Sequence, residues 1–302
     1  MRWIVLAALA FLCCARPPVE PKTVAAAPPP ARQNPSPMVD TTRAHGRIER
    51  KATTGRRFSV DDVLPRSVEV LITPAAEEEG RADLVIHFHG ASWLPFQSAE
   101  ESGRPLVIAA VNLGAGSRRY SIPFEDATVV SRLRERVAAG SPPIRRTYLT
   151  AFSAGFGAIR EILAQQPDAV DGVLLLDGLH SSYIPDEKPM AEGGALDTSR
   201  LEPFLRYAAR AANGEKRFVV THSEIFPGTF ASTTETADHL LAALELRRTP
   251  VLQWGPLGMQ QLSEAGQRSF LVLGFAGNTA PDHVDHLHAW GHFLDLLLSP
   301  EP

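Results

Sequence analysis

A serine set between small residues, Ala151-Phe152-Ser153-Ala154-Gly155, closes a β-branched and aromatic run that begins at Thr147. The run reads as a strand, a tight turn with Ser153 at its apex, and a helix over residues 158–164 that stops at Pro167. Backbone at such an apex is strained, and the residues two before and two after must be small for helix and strand to approach. Ala151 and Gly155 meet that need. A serine hydroxyl attacks a carbonyl only when a neighbouring base takes its proton, so the partners of Ser153 decide what the turn can do. Asp177 ends the apolar run Val173-Leu174-Leu175-Leu176, and polar groups at the strand ends of a parallel sheet converge on the ligand crevice. A buried carboxylate there can orient a histidine and stabilise its protonated form. The bland reading of Asp177 is a turn cap with Gly178. Histidines gather near the C-terminus at 283, 286, 288 and 292. His283 follows Pro281 and is expected in a loop, from which a base can swing over the serine; His286 falls about where the closing helix starts. His288 and His292, four apart, read as surface or packing residues of that helix. Histidines and aspartates together also suggest zinc, but no convincing ligand set accompanies them and the serine turn would go unexplained. No metal is expected.

A further stretch, His87-Phe88-His89-Gly90-Ala91-Ser92-Trp93, directly follows an apolar strand and precedes the serine in the chain. His-Gly turn, strand-turn-helix serine, acid and late histidine, in this order, resemble the α/β-hydrolase family, with Ala151 in place of the first glycine of Gly-x-Ser-x-Gly. The resemblance covers residue 67 to the C-terminus. It implies that Ser153 is the nucleophile and that the backbone N–H groups of Ala91 and Ala154 form the oxyanion hole, where small residues let backbone approach the developing charge. It implies His283 as base, with His286 second. The family more often draws its acid from the next strand, which here ends Thr221-His222-Ser223-Glu224, so Glu224 rivals Asp177. The implied reaction is hydrolysis through an acyl-enzyme without a cofactor, on a small-molecule substrate that is most simply a carboxylic ester. Residues 178–214 are expected to lie over the strand ends as a lid or substrate wall. Fold does not imply function, so a tethered binding lipoprotein that kept the scaffold and lost the chemistry is the competing reading.

The elements that must position these groups alternate between strand-like and helix-like segments, which predicts an α/β domain with a mostly parallel central sheet flanked by helices. Residues 67–73 alternate as an edge or antiparallel strand; residues 84–88 and 106–111 are continuous enough to be central strands. Residues 172–177, 217–221 and 269–273 supply the strands after the serine. Helices are expected over 127–138, 236–246 and 287–298. Ahead of the domain, one arginine and a short apolar run end at Cys13-Cys14, the only cysteines of the chain. Residues 1–14 therefore read as a signal peptide, with a bacterial lipoprotein lipidated at Cys14 and an ordinary cleaved signal both open. Residues 15–44 are rich in proline and alanine and lack the bulky apolar groups of a core, which predicts a disordered tether before a domain over 45–302. Export is expected, to the cell envelope or beyond, with the membrane touched only through an N-terminal lipid. A net charge of −4 with no basic stripe argues against nucleic acid as a partner.

Overall fold

The computed structural model describes residues 47–299, so the expected signal peptide and tether lie outside the described residues. In chain order the elements are β1 (Arg56–Val60), β2 (Val68–Ile72), α1 (Pro74–Glu79), β3 (Ala82–Phe88), α2 (Trp93–Glu101), β4 (Leu106–Val111), α3 (Ser117–Phe124), α4 (Ala127–Ala139), β5 (Ile144–Phe152) and α5 (Phe156–Gln165). There follow β6 (Gly172–Leu176), β7 (Tyr183–Ile184), β8 (Ala195–Leu196), α6 (Glu202–Ala212), β9 (Arg217–His222), α7 (Thr233–Ala243), β10 (Thr249–Trp254), β11 (Gln260–Gln267), β12 (Phe270–Phe275), α8 (Ala280–His288) and α9 (Trp290–Leu298). Ten strands form one sheet in the order β1-β2-β4-β3-β5-β6-β9-β12-β11-β10. The run β4-β3-β5-β6-β9-β12 is parallel throughout, while β1 and β2 at one side and β11 and β10 at the other pair antiparallel.

Both faces of the sheet are covered, which is why its central strands read as unbroken apolar runs. On one face Leu84, Ile86, Leu149 and Val173 pack with Tyr120 of α3, Leu133 of α4, Ile159 of α5 and Phe204 of α6. On the other, Val85, Ile108, Tyr148 and Leu174 pack with Phe96 of α2 and Trp290 and Phe293 of α9. Alternate residues of one strand thus serve opposite cores, as a period of two requires.

Three expectations are corrected. The helix expected over 236–246 begins earlier, as α7, because Ser232 caps it through the reciprocal bonds of a capping box with Glu235. The closing segment expected over 287–298 is two helices, α8 and α9, and His283 lies in the first turn of α8 rather than in a loop. Within 178–214, the expected lid, residues 202–212 form α6, whose Phe204 and Tyr207 are buried in the main core. Only the part before α6, with the short β7-β8 ribbon, is an excursion from the sheet.

Candidate active site

Three neighbouring parallel strands end in the same way. The residue after β3 is His89 (φ 72°), after β5 Ser153 (φ 47°) and after β6 Asp177 (φ 44°). Left-handed backbone costs a non-glycine residue about 1–3 kcal/mol and persists where the surroundings over-determine it, so this clustering at one carboxyl edge marks a built site. At Ser153 the surroundings are explicit. The chain leaves β5, makes one 3₁₀ turn over Ser153–Gly155 and enters α5. A Cβ on Gly155 would stand 2.3 Å from the Phe88 carbonyl oxygen, and one on Gly178 would stand 2.5 Å from the Ser153 carbonyl oxygen. Both glycines are required for close approach. Ala151, two residues before the serine, is fully buried in the core between Phe88 and Leu175, so the methyl in place of glycine fills space there.

Asp177 and His283, far apart in sequence, are joined by a 2.8 Å hydrogen bond between Oδ2 and Nδ1. Asp177 is 4% exposed. Its Oδ1 accepts the Ser223 backbone N–H (3.0 Å) and its Oδ2 accepts the Ser223 hydroxyl (2.7 Å). Burial alone pushes this carboxyl up; the hydrogen bond from His283, the neighbouring His286 and His283, and the Ser223 hydroxyl outweigh it and hold the group well below the usual carboxylate range. An ionised carboxylate only accepts, so Nδ1 of His283 carries the proton and donates it, which leaves the Nε2 lone pair for another partner. The His283 ring lies 4.5 Å from that of Phe152, the residue before the serine, and Phe152 stacks in turn on His89 at 5.8 Å.

Ser153, Asp177 and His283 line one cavity of about 650 Å³, walled further by His180, Phe230 and Pro281. No hydrogen bond joins Ser153 to His283 among the described residues; such contacts are commonly loose without substrate and tighten when it binds. Glu224 is placed elsewhere. It is exposed, its carboxylate accepts the Gly277 N–H at 3.3 Å, and it lines a different cavity. His286 is fully buried, bonds Thr221 through Nδ1 at 2.8 Å, and is held neutral by burial, which lowers its pKa to about 4. His288 and His292 pack against Trp93 and Phe293. No group of three His, Cys, Asp or Glu among the described residues is arranged to hold a metal ion.

The loop before Ala91 is fixed from several sides. His89 Nδ1 lies 2.8 Å from the Tyr120 hydroxyl, which also accepts the Leu113 N–H, and the Gly90 carbonyl accepts Asn112 Nδ2 at 2.9 Å. Ala91 is exposed and Ala154, after the serine, is partly buried. Two residues of the site escaped the sequence reading. Ser223, just after β9, donates both its N–H and its hydroxyl to Asp177, so the strand that leads to Glu224 supports the carboxylate that follows β6. Its only signal was its place beside the rival carboxylate. His180, held by the Ala231 carbonyl at 3.0 Å and edge-on to Phe156 and Phe230, forms a cavity wall, and nothing in Leu179-His180-Ser181 announced it.

No known family model and no curated protein matches the chain. Solved structures with a similar course include a cold-adapted esterase from an Arctic intertidal metagenomic library, 17% identical over 84% of this chain and 98% of that one, with a TM-score of 0.46. An S-formylglutathione hydrolase from Agrobacterium tumefaciens is 12% identical over 82% of this chain and 97% of its own (TM-score 0.47). The acylaminoacyl peptidase of Pyrococcus horikoshii is 16% identical over 65% of this chain, which spans 36% of that enzyme's length (TM-score 0.41). With its mostly parallel sheet between two helical layers, its serine on a strand-turn-helix apex, and an acid and a histidine following in that order, the chain has the α/β-hydrolase fold.

Proposed function

We propose that this protein is a serine hydrolase that cleaves carboxylic esters through an acyl-enzyme on Ser153. The observation that carries the reading is the 2.8 Å bond from His283 to the buried, ionised Asp177 in the cavity that Ser153 lines. Ser153 Oγ attacks the ester carbonyl carbon while His283 Nε2 takes the hydroxyl proton, and the backbone N–H groups of Ala91 and Ala154 receive the oxyanion. The tetrahedral adduct collapses, the C–O bond to the alcohol breaks, and His283 returns its proton to the leaving oxygen. Water, deprotonated by the same nitrogen, then attacks the acyl carbon, and Ser153 regains its proton as the acid departs. Asp177 holds the Nδ1–H tautomer throughout and stabilises the imidazolium, with no proton transfer of its own. No cofactor enters this sequence. The protein is exported and tethered at, or released beyond, the membrane, a reading that rests on the signal-like residues 1–14 and the proline-rich segment that follows.

Ser153→Ala tests the reaction. Wild type takes up a fluorophosphonate probe and hydrolyses nitrophenyl esters of graded chain length; the variant, folded to the same extent, does neither. Wild-type hydrolysis by Ser153→Ala overturns the reading, and a wild type that folds but neither labels nor turns over is the scaffold-only binding protein.

A further inference from the structure

Ser153 is shared by two cavities. The first, described above, contains His283. The second, about 380 Å³, does not; its walls include Ser117, Ala154, Arg160, Ser181, Ser182 and Arg200. Which part of an ester enters which cavity follows from the proton. His283 must hand its proton to the leaving oxygen, so the alcohol lies on the His283 side, in the first cavity, whose walls include Ile225, Pro227, Phe230 and Pro281. The acyl chain then runs past Ala154 into the second.

That second cavity is built for negative charge. Arg160 and Arg200 line it, while the carboxylates that pair with them, Glu161 (2.8 Å) and Asp197 (3.5 Å), do not, and no other Asp or Glu does among the described residues. Glu161 takes both Nε and Nη2 of Arg160, whereas Arg200 meets Asp197 only at 3.5 Å through Nε, so Arg200 has more donors to offer a ligand. Helices α3 and α5 both begin at its wall, at Ser117 and Phe156, and present the positive ends of their dipoles. The serine hydroxyls add donors. A guanidinium matches a carboxylate through two parallel N–H bonds, and the volume suits a short chain.

Resting on the reaction proposed at Ser153, we infer that the second cavity takes the acyl group of the substrate and that this acyl group carries a carboxylate, bound by Arg200 and Arg160. The substrates are half-esters of short dicarboxylic acids, esterified with an apolar alcohol.

The test compares 4-nitrophenyl hemiadipate with the neutral 4-nitrophenyl hexanoate. Wild type favours the hemiadipate in kcat/KM, and added salt reduces the preference. In Arg200→Gln the ratio of the two kcat/KM values falls about tenfold, and in Arg200→Glu it falls further. The Arg200 side chain is 54% exposed, so neither change disturbs the core. Calorimetric binding of free adipate, which needs no turnover, reads the cavity independently: wild type binds it and Arg200→Gln binds it about tenfold more weakly. Turnover of neither ester alongside Arg200-dependent adipate binding overturns the hydrolase reading and leaves the anion site standing. A wild-type preference for the hexanoate, or adipate binding that is absent or indifferent to Arg200, overturns the anion site.

Discussion

Ser223 and Asp177 show how much a catalytic assignment depends on what surrounds a carboxylate. Asp177 accepts three hydrogen bonds, one of them from His283, whereas Glu224 is exposed on a loop, where its carboxylate accepts the Gly277 N–H and its own N–H donates to the Gly277 carbonyl. Asp177→Asn should leave the fold intact but lower kcat by about ten-thousand-fold, because an amide can present N–H to Nδ1 and favour the wrong tautomer. Glu224→Gln should be mild. Ser223→Ala removes one donor and leaves the imidazole its carboxylate, so its loss of kcat should lie well below that of Asp177→Asn, and Asp177 should stay ionised across the working pH range because His283 and His286 still hold it low. Kinetics of the three variants across pH check the ranking; a larger loss in Glu224→Gln than in Asp177→Asn would move the acid to Glu224. At this scale the sequence disclosed identities and order better than support. Ser153 was legible because small residues around a serine have a steric cause. Ser223 was not, because a serine after a strand becomes meaningful only when the neighbouring strand delivers a carboxylate to it.

Elements place these residues through backbone clashes as much as through side-chain contacts. Gly155 is the sharpest case: with a Cβ only 2.3 Å from the Phe88 carbonyl oxygen, α5 and β3 must separate before any larger residue fits. Gly155→Ala should cost about 1–3 kcal/mol and displace Ser153 relative to the His89-Gly90 turn that follows β3. Denaturant unfolding should register the first effect, and slowed fluorophosphonate labelling of the fraction that remains folded should register the second. Ala151→Gly, by contrast, removes one buried methyl from a strand and should cost about 1 kcal/mol with labelling retained. Equal labelling rates for Gly155→Ala and wild type would show that the approach of α5 to β3 does not set the serine. The contrast also explains why Ala151 substitutes for a glycine: the steric demand lies two residues after the serine, and the position before it is ordinary core. Helix ends were harder to read. The α8 start was hidden in Asn278-Thr279-Ala280-Pro281-Asp282, which looks like a loop. Yet Thr279 and Asp282 form a capping box, with Asp282 Oδ2 accepting the Thr279 N–H at 2.8 Å, and Pro281 sits in the first turn, where its missing N–H costs nothing. The central strands were legible because both their faces are buried; β10, exposed along most of its length, announced itself by no such pattern.

For the whole molecule, the sheet sets a condition on pH. His87 in β3 and His286 against the sheet are fully buried, His87 bonded through Nδ1 to Thr150 at 2.8 Å and His286 to Thr221, and neither Nε2 has a hydrogen-bond partner among the described residues. Burial is the main cause that lowers their pKa values, to about 3 and about 4. In the unfolded chain a histidine titrates near about 6.5. Between the two values the unfolded chain binds a proton that the folded chain refuses, so stability is fully present above the unfolded pKa and is lost as pH falls toward the folded one. Asp177 acts in the same direction only at lower pH. Its folded pKa lies below that of a free carboxyl, so its contribution persists down to the ordinary carboxylate range and disappears beneath it. The window from pH 7 to pH 5 is therefore governed by histidines, and each of these two should account for about 2 kcal/mol of lost stability across it. His286→Asn keeps a polar group within reach of Thr221 and carries no titratable proton. Its Tm should be lower than wild type at pH 7, because a packed ring is gone, but should fall less steeply between pH 7 and pH 5. Calorimetric or fluorescence melts of both proteins at several pH values measure that slope directly. Parallel curves would mean that His286 gains a proton in the folded state as readily as in the unfolded one, and that the acid sensitivity of the fold arises elsewhere.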